Sequence, residues 1–204
     1  MTPFARDALV LIVLVSLIAS GISPHDRLTW ILEIFWVAGA LAMWPWFRRR
    51  RTPTDLLLVL LALHALVLVY GGYYTYTRVP LGEWMQWWFG FQRNHYDRFG
   101  HFMQGFVPAI LAREVLLRLD VVRGRAWLWA IVVSMCLAFS AGFELFEWAA
   151  AIVFGDGSID YLAAQGDAWD AQQDMLMALI GSNAALLFLS RLHDRQLARG
   201  TLRA

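Results

Sequence analysis

The sequence contains no lysine, so all 17 of its basic residues are arginine. This absence excludes a Schiff base with a carbonyl substrate and a lysine nucleophile or general base. There is a single cysteine, Cys136, so no internal disulfide can form, and its apolar surroundings predict a buried thiol. The sequence also lacks an HExxH zinc motif, a phosphate-binding glycine loop and a nucleophile elbow.

Charge is scarce and apolar residues dominate. Charged residues make up 16% of the 204 residues, whereas 59% are hydrophobic and the mean hydropathy is +0.51. Crossing a hydrocarbon core of about 30 Å takes roughly 20 residues. Six segments predict transmembrane helices, at about 8–22, 28–47, 56–76, 99–117, 126–154 and 172–192. The sequence therefore predicts an all-α polytopic membrane helical bundle, a single integral membrane domain over residues 1–204.

The first apolar segment is short and follows Arg6. We expect it to be retained as a membrane anchor. A cleaved signal peptide is the alternative, because the sequence Ala19-Ser20-Gly21 resembles a cleavage site. Both interpretations predict the same orientation for the remaining segments.

Arginine is distributed unevenly about the predicted spans. The run Arg48–Arg51 and most other arginines fall on one side, whereas only Arg27, Arg78, Arg93 and Arg98 fall on the other. Because arginine is retained on the cytoplasmic side of a bacterial membrane, both termini are predicted to be cytoplasmic. Most acidic residues fall on the outer side, a bias that topology does not require because acids contribute little to orientation.

The fourth span begins with a polar stripe. Asp97, His101 and Gln104 are spaced i, i+4 and i+7, which places them on one narrow face of a helix. Gly105 would let a neighbouring helix approach closely, and Pro108 predicts a kink.

The fifth and sixth spans carry further acids near their outer ends. Glu144 and Glu147 share a helix face, and a lipid-facing carboxylate there would cost roughly 2–3 kcal/mol, so we expect them to face the bundle interior. Asp167, Asp170 and Asp174 form another stripe if the sixth helix starts early. Asp167 alone is better explained as a helix cap.

These acids and His101 lie at a similar depth, so uncompensated like charges would repel one another. A bound divalent metal ion would relieve the repulsion, and oxygen and imidazole ligands suit Zn, Mn, Fe, Mg or Ca without selecting one. The predicted ligands are Asp97, His101, Glu144, Asp170 and Asp174. The alternatives are a buried polar network paired with arginine, and a proton-coupled pathway.

The sharpest functional hypothesis is a metal-assisted hydrolase or transferase that acts on a lipid or envelope precursor. The metal would activate a water, Glu147 would be the general base, and Arg98 would bind an anionic group such as phosphate. A non-catalytic assembly or envelope factor remains open, as does an ion-coupled carrier, although the acids cluster on one side and no inverted repeat is evident. The lipid bilayer is the predicted partner, and no nucleic-acid partner is predicted.

Three further features receive ordinary structural interpretations. The stretch EWMQWWFGFQ, residues 83–92, is too short and polar to span, and predicts an outer interfacial helix or re-entrant turn. His64, alone in the third span, is interpreted as a hydrogen-bonded bundle residue. His193 and the cytoplasmic arginines are interpreted as topology determinants and lipid-headgroup contacts.

Three blocks carry a resemblance to a known family. NHYDRFGHFMQGFVPAILARE, AFSAGFELFEWAAA and QGDAWDAQQDMLMALIGS resemble blocks of the YjdF-like bacterial inner-membrane proteins. That family consists of predicted membrane proteins without an established activity. The resemblance therefore implies a multi-pass inner-membrane location, but it implies no reaction.

A second resemblance is to VanZ-like membrane proteins, whose pattern of acids and histidine falls here on Asp97, His101, Glu144, Asp174 and Gly181. The sequence departs from that pattern by adding Glu147 and the upstream QGDAWD. VanZ-like proteins are linked to glycopeptide tolerance, which implies envelope chemistry and nothing sharper.

Overall fold

The computed structural model describes residues 1–50, 52–155 and 159–201, and Arg51 of the predicted basic run lies outside them. Over these residues the regular structure is helical. The helices are α1 (Pro3–Ser20), α2 (Arg27–Arg50), α3 (Asp55–Tyr74), α4 (Pro80–Phe89), α5 (Tyr96–Leu119), α6 (Arg125–Phe154), α7 (Ile159–Leu162) and α8 (Asp170–Thr201), with a 3₁₀ turn at Tyr76–Arg78. The all-α prediction is confirmed for this part of the chain. Most helix ends lie within three residues of the predicted ones, but α1 starts five residues earlier and α8 ends nine residues later.

Five of the described helices are long and apolar enough to cross a membrane: α1, α2, α3, α6 and α8. The remaining predicted span corresponds to α5, which has 24 residues and would extend about 36 Å. It is less apolar than those five helices because it carries charges along its length. Three of those charges are enclosed, since Asp97, Arg113 and Glu114 are buried where α5 packs against α8, α6 and α3, whereas Arg118 near the end of the helix is exposed.

The closest helix pair is α5 with α8. A Cβ atom added to Gly105 would lie 1.9 Å from the carbonyl oxygen of Ala178, and one added to Gly181 would lie 2.1 Å from that of Phe102. Glycine at these two positions therefore allows the backbones to touch, as predicted for Gly105. The contact holds the polar stripe of α5 beside the first turns of α8.

The interior combines small and large apolar side chains, and many large ones also face outward. The core between α3, α5, α6 and α8 contains Ala109, Ala112, Cys136 and Ala185, so the predicted buried thiol is confirmed. Many large apolar side chains are exposed, including Phe188 at 72%. This distribution suits a lipid environment, where small residues allow close helix packing and large apolar residues face the acyl chains.

A second polar cluster, the inner-end network, joins α3, α5 and α8 at the end of the bundle opposite Asp97. The Thr54 hydroxyl donates to Glu114 (2.6 Å), and His193 Nε2 lies 3.0 Å from the same carboxylate. Arg113 lies 2.8 Å from His193 Nδ1 and donates to Asp194 at 2.6 Å. Because arginine only donates, His193 Nδ1 accepts and Nε2–H donates to Glu114. His193 is fully buried, so the prediction that it contacts lipid headgroups is wrong.

The aromatic stretch after the third span forms a short helix, which is one of the two structures predicted for it. α4 starts at Pro80, a residue suited to a first helical position, and ends at Gly90, which adopts the left-handed conformation with φ +68°. Trp84, Trp87 and Trp88 are all exposed. Exposed tryptophans on a short helix are typical of a segment that lies at a membrane surface.

Candidate functional site

The predicted polar stripe is present and buried at the start of α5. Asp97 is 5% exposed, His101 3% and Gln104 7%. On α6, Glu147 is buried and Glu144 is nearly so, and on α8 Asp174 is 2% exposed. Three helices therefore contribute acids or imidazole to one region, as the sequence predicts.

The tightest group is formed by Asp97, His101 and Asp174, called here the outer cluster. Each offers one ligand atom, and these atoms all lie within 4.8 Å of one another. His101 Nε2 is 3.6 Å from Asp97 Oδ1 and also 3.6 Å from Glu144 Oε1. Glu144 therefore borders the outer cluster.

The tautomer of His101 follows from its other nitrogen. Nδ1 lies 3.0 Å from Oε1 of Gln104, which only accepts hydrogen bonds, so Nδ1 carries the proton in neutral imidazole. The lone pair of Nε2 then points towards the carboxylates of Asp97 and Glu144. A lone pair that faces two carboxylates is stabilised by a proton or a cation between them, and a partner on the second ring nitrogen is typical of metal-ligating histidine.

Asp170, the remaining predicted ligand, is engaged differently. Arg93 contacts it through Nη1 and also lies 3.4 Å from Asp167 and 3.9 Å from Asp97. Arg98 Nη2 is 3.4 Å from Asp170. Asp170 is thus held between two guanidinium groups, and it is outside the outer cluster.

Arg98 also binds the segment before α8. It donates to Asp167 at 2.8 Å, contacts the side-chain oxygen of Gln173, and its Nε lies 4.0 Å from Asp174. The Nε–H has no hydrogen-bond partner among the described residues. The arginine predicted to bind an anion therefore contacts acids of its own chain, and its role towards a ligand stays a prediction.

Asp167 lies in the turn before α8, where its side chain closes that turn instead of capping the N–H groups of the helix. It accepts the backbone N–H of Trp169 at 2.9 Å. That hydrogen bond, together with the guanidinium groups of Arg98 and Arg93, holds the pKa of Asp167 below its usual 3.8. At the other side of the same network, burial and then the charges of the two arginines lower the pKa of His95.

Several buried polar atoms near the outer cluster lack a hydrogen-bond partner within the described part of the chain. They are Ser140 Oγ, Glu144 Oε1 and Asp174 Oδ1, together with Nε of Arg93 and Arg98. Buried polar atoms are nearly always hydrogen-bonded, so unpaired carboxylate oxygens identify a place where a cation, a proton or a water is needed.

Next to the outer cluster is a cavity of about 230 Å³, called here the acidic cavity. Three carboxylates line it, from Glu33, Asp97 and Glu147, together with the imidazoles of His64 and His101. Glu147, the predicted general base, therefore faces this cavity rather than the outer cluster. His64 Nε2 has no hydrogen-bond partner among the described residues, so its interpretation as a fully bonded bundle residue is wrong.

Glu33 is the site residue that the sequence did not single out. It is 4% exposed and lies beside the hydroxyl of Tyr76. The Tyr76 ring is held between Gly71 and Gly100, where added Cβ atoms would lie 2.4 Å and 2.9 Å from it. An acid within an apolar segment was the signal available in the sequence, but nothing local links Glu33 to α5.

Comparisons with known proteins agree with a membrane location. The family described as "Predicted membrane protein (DUF2238)" matches residues 5–195. The chain is 46% identical over 197 residues to the protein described as "Inner membrane protein YjdF" from Escherichia coli strain K12, covering 97% of this chain and 94% of that protein. No solved structure is significantly similar to it. Neither description states an activity.

Proposed function

The chain belongs to the DUF2238 family of predicted membrane proteins, and we propose, from the geometry of the outer cluster, that it is a six-span inner-membrane enzyme with a divalent-cation site near the outer face. In this proposal the reaction is hydrolysis or group transfer on a lipid or envelope precursor. The multi-pass inner-membrane location itself follows from the family and from the relative in E. coli. The span count, the cation and the reaction are the proposed parts.

The six-span topology adds α5 to the five apolar helices. An even number of crossings places both termini on one side. Contacts at one end of the bundle support this arrangement: Arg6 pairs with Asp55 at 2.6 Å, and the Thr54 hydroxyl donates to Glu114 at 2.6 Å, which brings the starts of α1 and α3 to the end of α5. Most arginines belong to this end, so it is assigned to the cytoplasm.

The observation that carries the proposal is the convergence of three ligand atoms from Asp97, His101 and Asp174 within 4.8 Å. All three side chains are buried, and charges in such surroundings cost several kcal/mol each unless they are paired. Arg98 approaches Asp174 only to 4.0 Å, and Arg93 approaches Asp97 only to 3.9 Å. A divalent cation would neutralise the carboxylates at ordinary ligand distances of about 2.0–2.6 Å.

The residues divide by role in this proposal. Asp97, His101 and Asp174 hold the cation, and Glu144 is placed to join them through its oxygen near His101. A bound divalent ion would supply Lewis acidity and an acidified water. Glu147 accepts the proton, because its carboxylate lines the cavity that Asp97 and His101 also line.

A non-catalytic envelope factor is the second candidate, and the two arginines favour it. Arg93 and Arg98 together contact Asp97, Asp167, Asp170 and Asp174, which ties the start of α5 to the turn before α8. A network of this kind can have a purely structural role, in which it fixes the crossing of two helices. The metal content of the protein separates the two candidates.

The test is elemental analysis of protein purified in mild detergent. We expect a stoichiometric divalent metal in the wild type and its loss in Asp174→Asn, because this substitution removes a ligand without changing the side-chain shape. Glu83→Gln is the matched control, since it removes an exposed acid on the predicted outer side of the membrane. We expect this variant to retain the metal. A wild type without metal, even after incubation with Zn, Mn or Mg, would leave the structural network as the better explanation.

A further inference from the structure

The acidic cavity has an unusual charge balance. Of its three carboxylates, Asp97 has a guanidinium at 3.9 Å and Glu33 has the Tyr76 hydroxyl. Glu147 is only 8% exposed and has neither a hydrogen bond nor an ion pair with any described residue. A buried carboxylate that lines a cavity without a partner requires either a proton or a positively charged occupant.

The walls of the cavity favour an organic cation over a metal ion. Trp36, Tyr76, Phe139 and Phe143 line it along with the acids, and the Trp36 and Phe139 rings meet edge to face at 5.7 Å. Aromatic faces attract ammonium groups through their quadrupole, whereas they offer no oxygen ligands to a small hard cation. Carboxylates together with aromatic rings therefore match a primary or substituted ammonium group.

A larger, mostly apolar crevice adjoins the cavity. This crevice has a volume of about 650 Å³ and lies among α1, α2, α3 and α5. The residues that line both spaces are Val37, Ala40, Leu61, Ala65 and Leu111. Farther along, Met43 and Val115 are exposed on α2 and α5, so the crevice opens sideways between these helices towards lipid. A mostly apolar crevice that adjoins a charged cavity and opens towards lipid suits a hydrocarbon tail.

We propose that the acidic cavity and the apolar crevice together bind an amphiphile with an ammonium headgroup and a single hydrocarbon chain. The ammonium lies against Glu33 and Glu147, and the chain follows the crevice towards the cytoplasmic half of the bilayer. Glu33 and Glu147 are outside the outer cluster, so the inference goes beyond the proposed function and does not need a bound metal.

The headgroup is tested by the unfolding temperature of the purified protein in a neutral detergent with dodecylamine, dodecanol or dodecanoate. These probes share one chain and differ in head charge. We expect only dodecylamine to stabilise the wild type, because ligands that bind the native state raise its unfolding temperature. Glu147→Gln should weaken the apparent affinity by about tenfold or more, as expected for loss of a charged partner, while Glu83→Gln should not change it.

Each other result overturns the headgroup assignment. Equal stabilisation by the three probes would mean a general amphiphile effect, and no stabilisation by dodecylamine would mean that the cavity does not take an ammonium. Unchanged affinity in Glu147→Gln would place the binding elsewhere. If Glu147→Gln does not fold, Glu33→Gln provides the same comparison from α2.

The crevice is tested by a matched pair of substitutions on α2. Ala40 and Ala38 are both exposed, but only Ala40 lines the junction between cavity and crevice. We expect Ala40→Leu to abolish the preference for dodecylamine over butylamine and Ala38→Leu to retain it. A preserved preference in both variants would overturn the tail assignment. Amine binding without any metal would contradict only the proposed function, and metal without amine binding only this inference.

Discussion

His101 shows how a single residue connects the polar groups of two helices. Its Nδ1 is fixed by Gln104 one turn along α5, and its Nε2 faces Asp97 of the same helix and Glu144 of α6. The imidazole therefore has one satisfied nitrogen and one that faces two carboxylates. The chemistry of His101 depends on whether a proton or a cation lies between that nitrogen and the two carboxylates. Measuring the metal content of the protein distinguishes these cases.

Asp167 gives a pH prediction at the residue scale. Its pKa in the folded protein is below the usual 3.8, so its contribution to stability is present at neutral pH and is lost as the pH falls below 3.8. We expect Asp167→Asn to be less stable than the wild type at pH 7, with the difference shrinking as the solution is acidified through this range. Denaturant unfolding at several pH values measures it. A difference that persisted at low pH would mean that shape, not charge, matters at this position.

At the scale of elements, the α5–α8 contact positions the site. Asp97 and His101 lie one or two turns before Gly105, and Asp174 lies two turns before Gly181. Because the two glycines permit backbone contact, the acids of the two helices meet within ligand distance. The polar residues at the start of α5, which make it less apolar than the other long helices, are enclosed by α6 and α8.

The contact predicts a sharp difference between glycines. Gly105→Ala and Gly181→Ala would drive a methyl group into a facing backbone, so we expect each to destabilise the protein by about 1–3 kcal/mol or more. Gly142→Ala on α6 is the control, because an added Cβ meets nothing within 4 Å there and alanine favours a helix by roughly 0.5–1 kcal/mol. Unfolding in detergent compares the three variants. Equal effects would show that the helices can separate without cost.

At the scale of the whole molecule, two polar regions lie at opposite ends of an apolar bundle. The outer cluster and acidic cavity join α2, α5, α6 and α8, whereas the inner-end network around Glu114 and His193 joins α3, α5 and α8. Helix α5 belongs to both regions. A rigid central helix that is polar at its two ends and surrounded by apolar helices places each region near its own membrane surface.

The orientation is testable with the single native cysteine as background. Cys136 is 1% exposed, so the wild type should not react with a membrane-impermeant maleimide. We expect Glu83→Cys, on α4, to be labelled in cells with a permeabilised outer membrane, and Arg123→Cys, between α5 and α6, only after lysis. The reverse pattern would invert the topology, and labelling of both in intact cells would contradict the six-span arrangement.

The candidate site was predictable where its pattern is local. The spacing of Asp97, His101 and Gln104 places them on one helix face whatever the fold, and the burial cost of Glu144 requires that it face the interior. The sequence did not predict which of the acids would form an ion pair with an arginine. Asp170 and Asp174 are one turn apart on α8, yet the first lies between Arg93 and Arg98 and the second joins His101.

The sequence by itself determined the helices and the membrane location, and it predicts the direction of insertion, because hydropathy and arginine placement act within single segments. Only the tertiary structure decided that Glu33 of α2 shares a cavity with Glu147 of α6, and that His193 closes a buried network instead of contacting headgroups. These partners are distant in the chain. Their meeting depends on helix crossings, which are set by backbone contacts such as that at Gly105 and not by any local pattern.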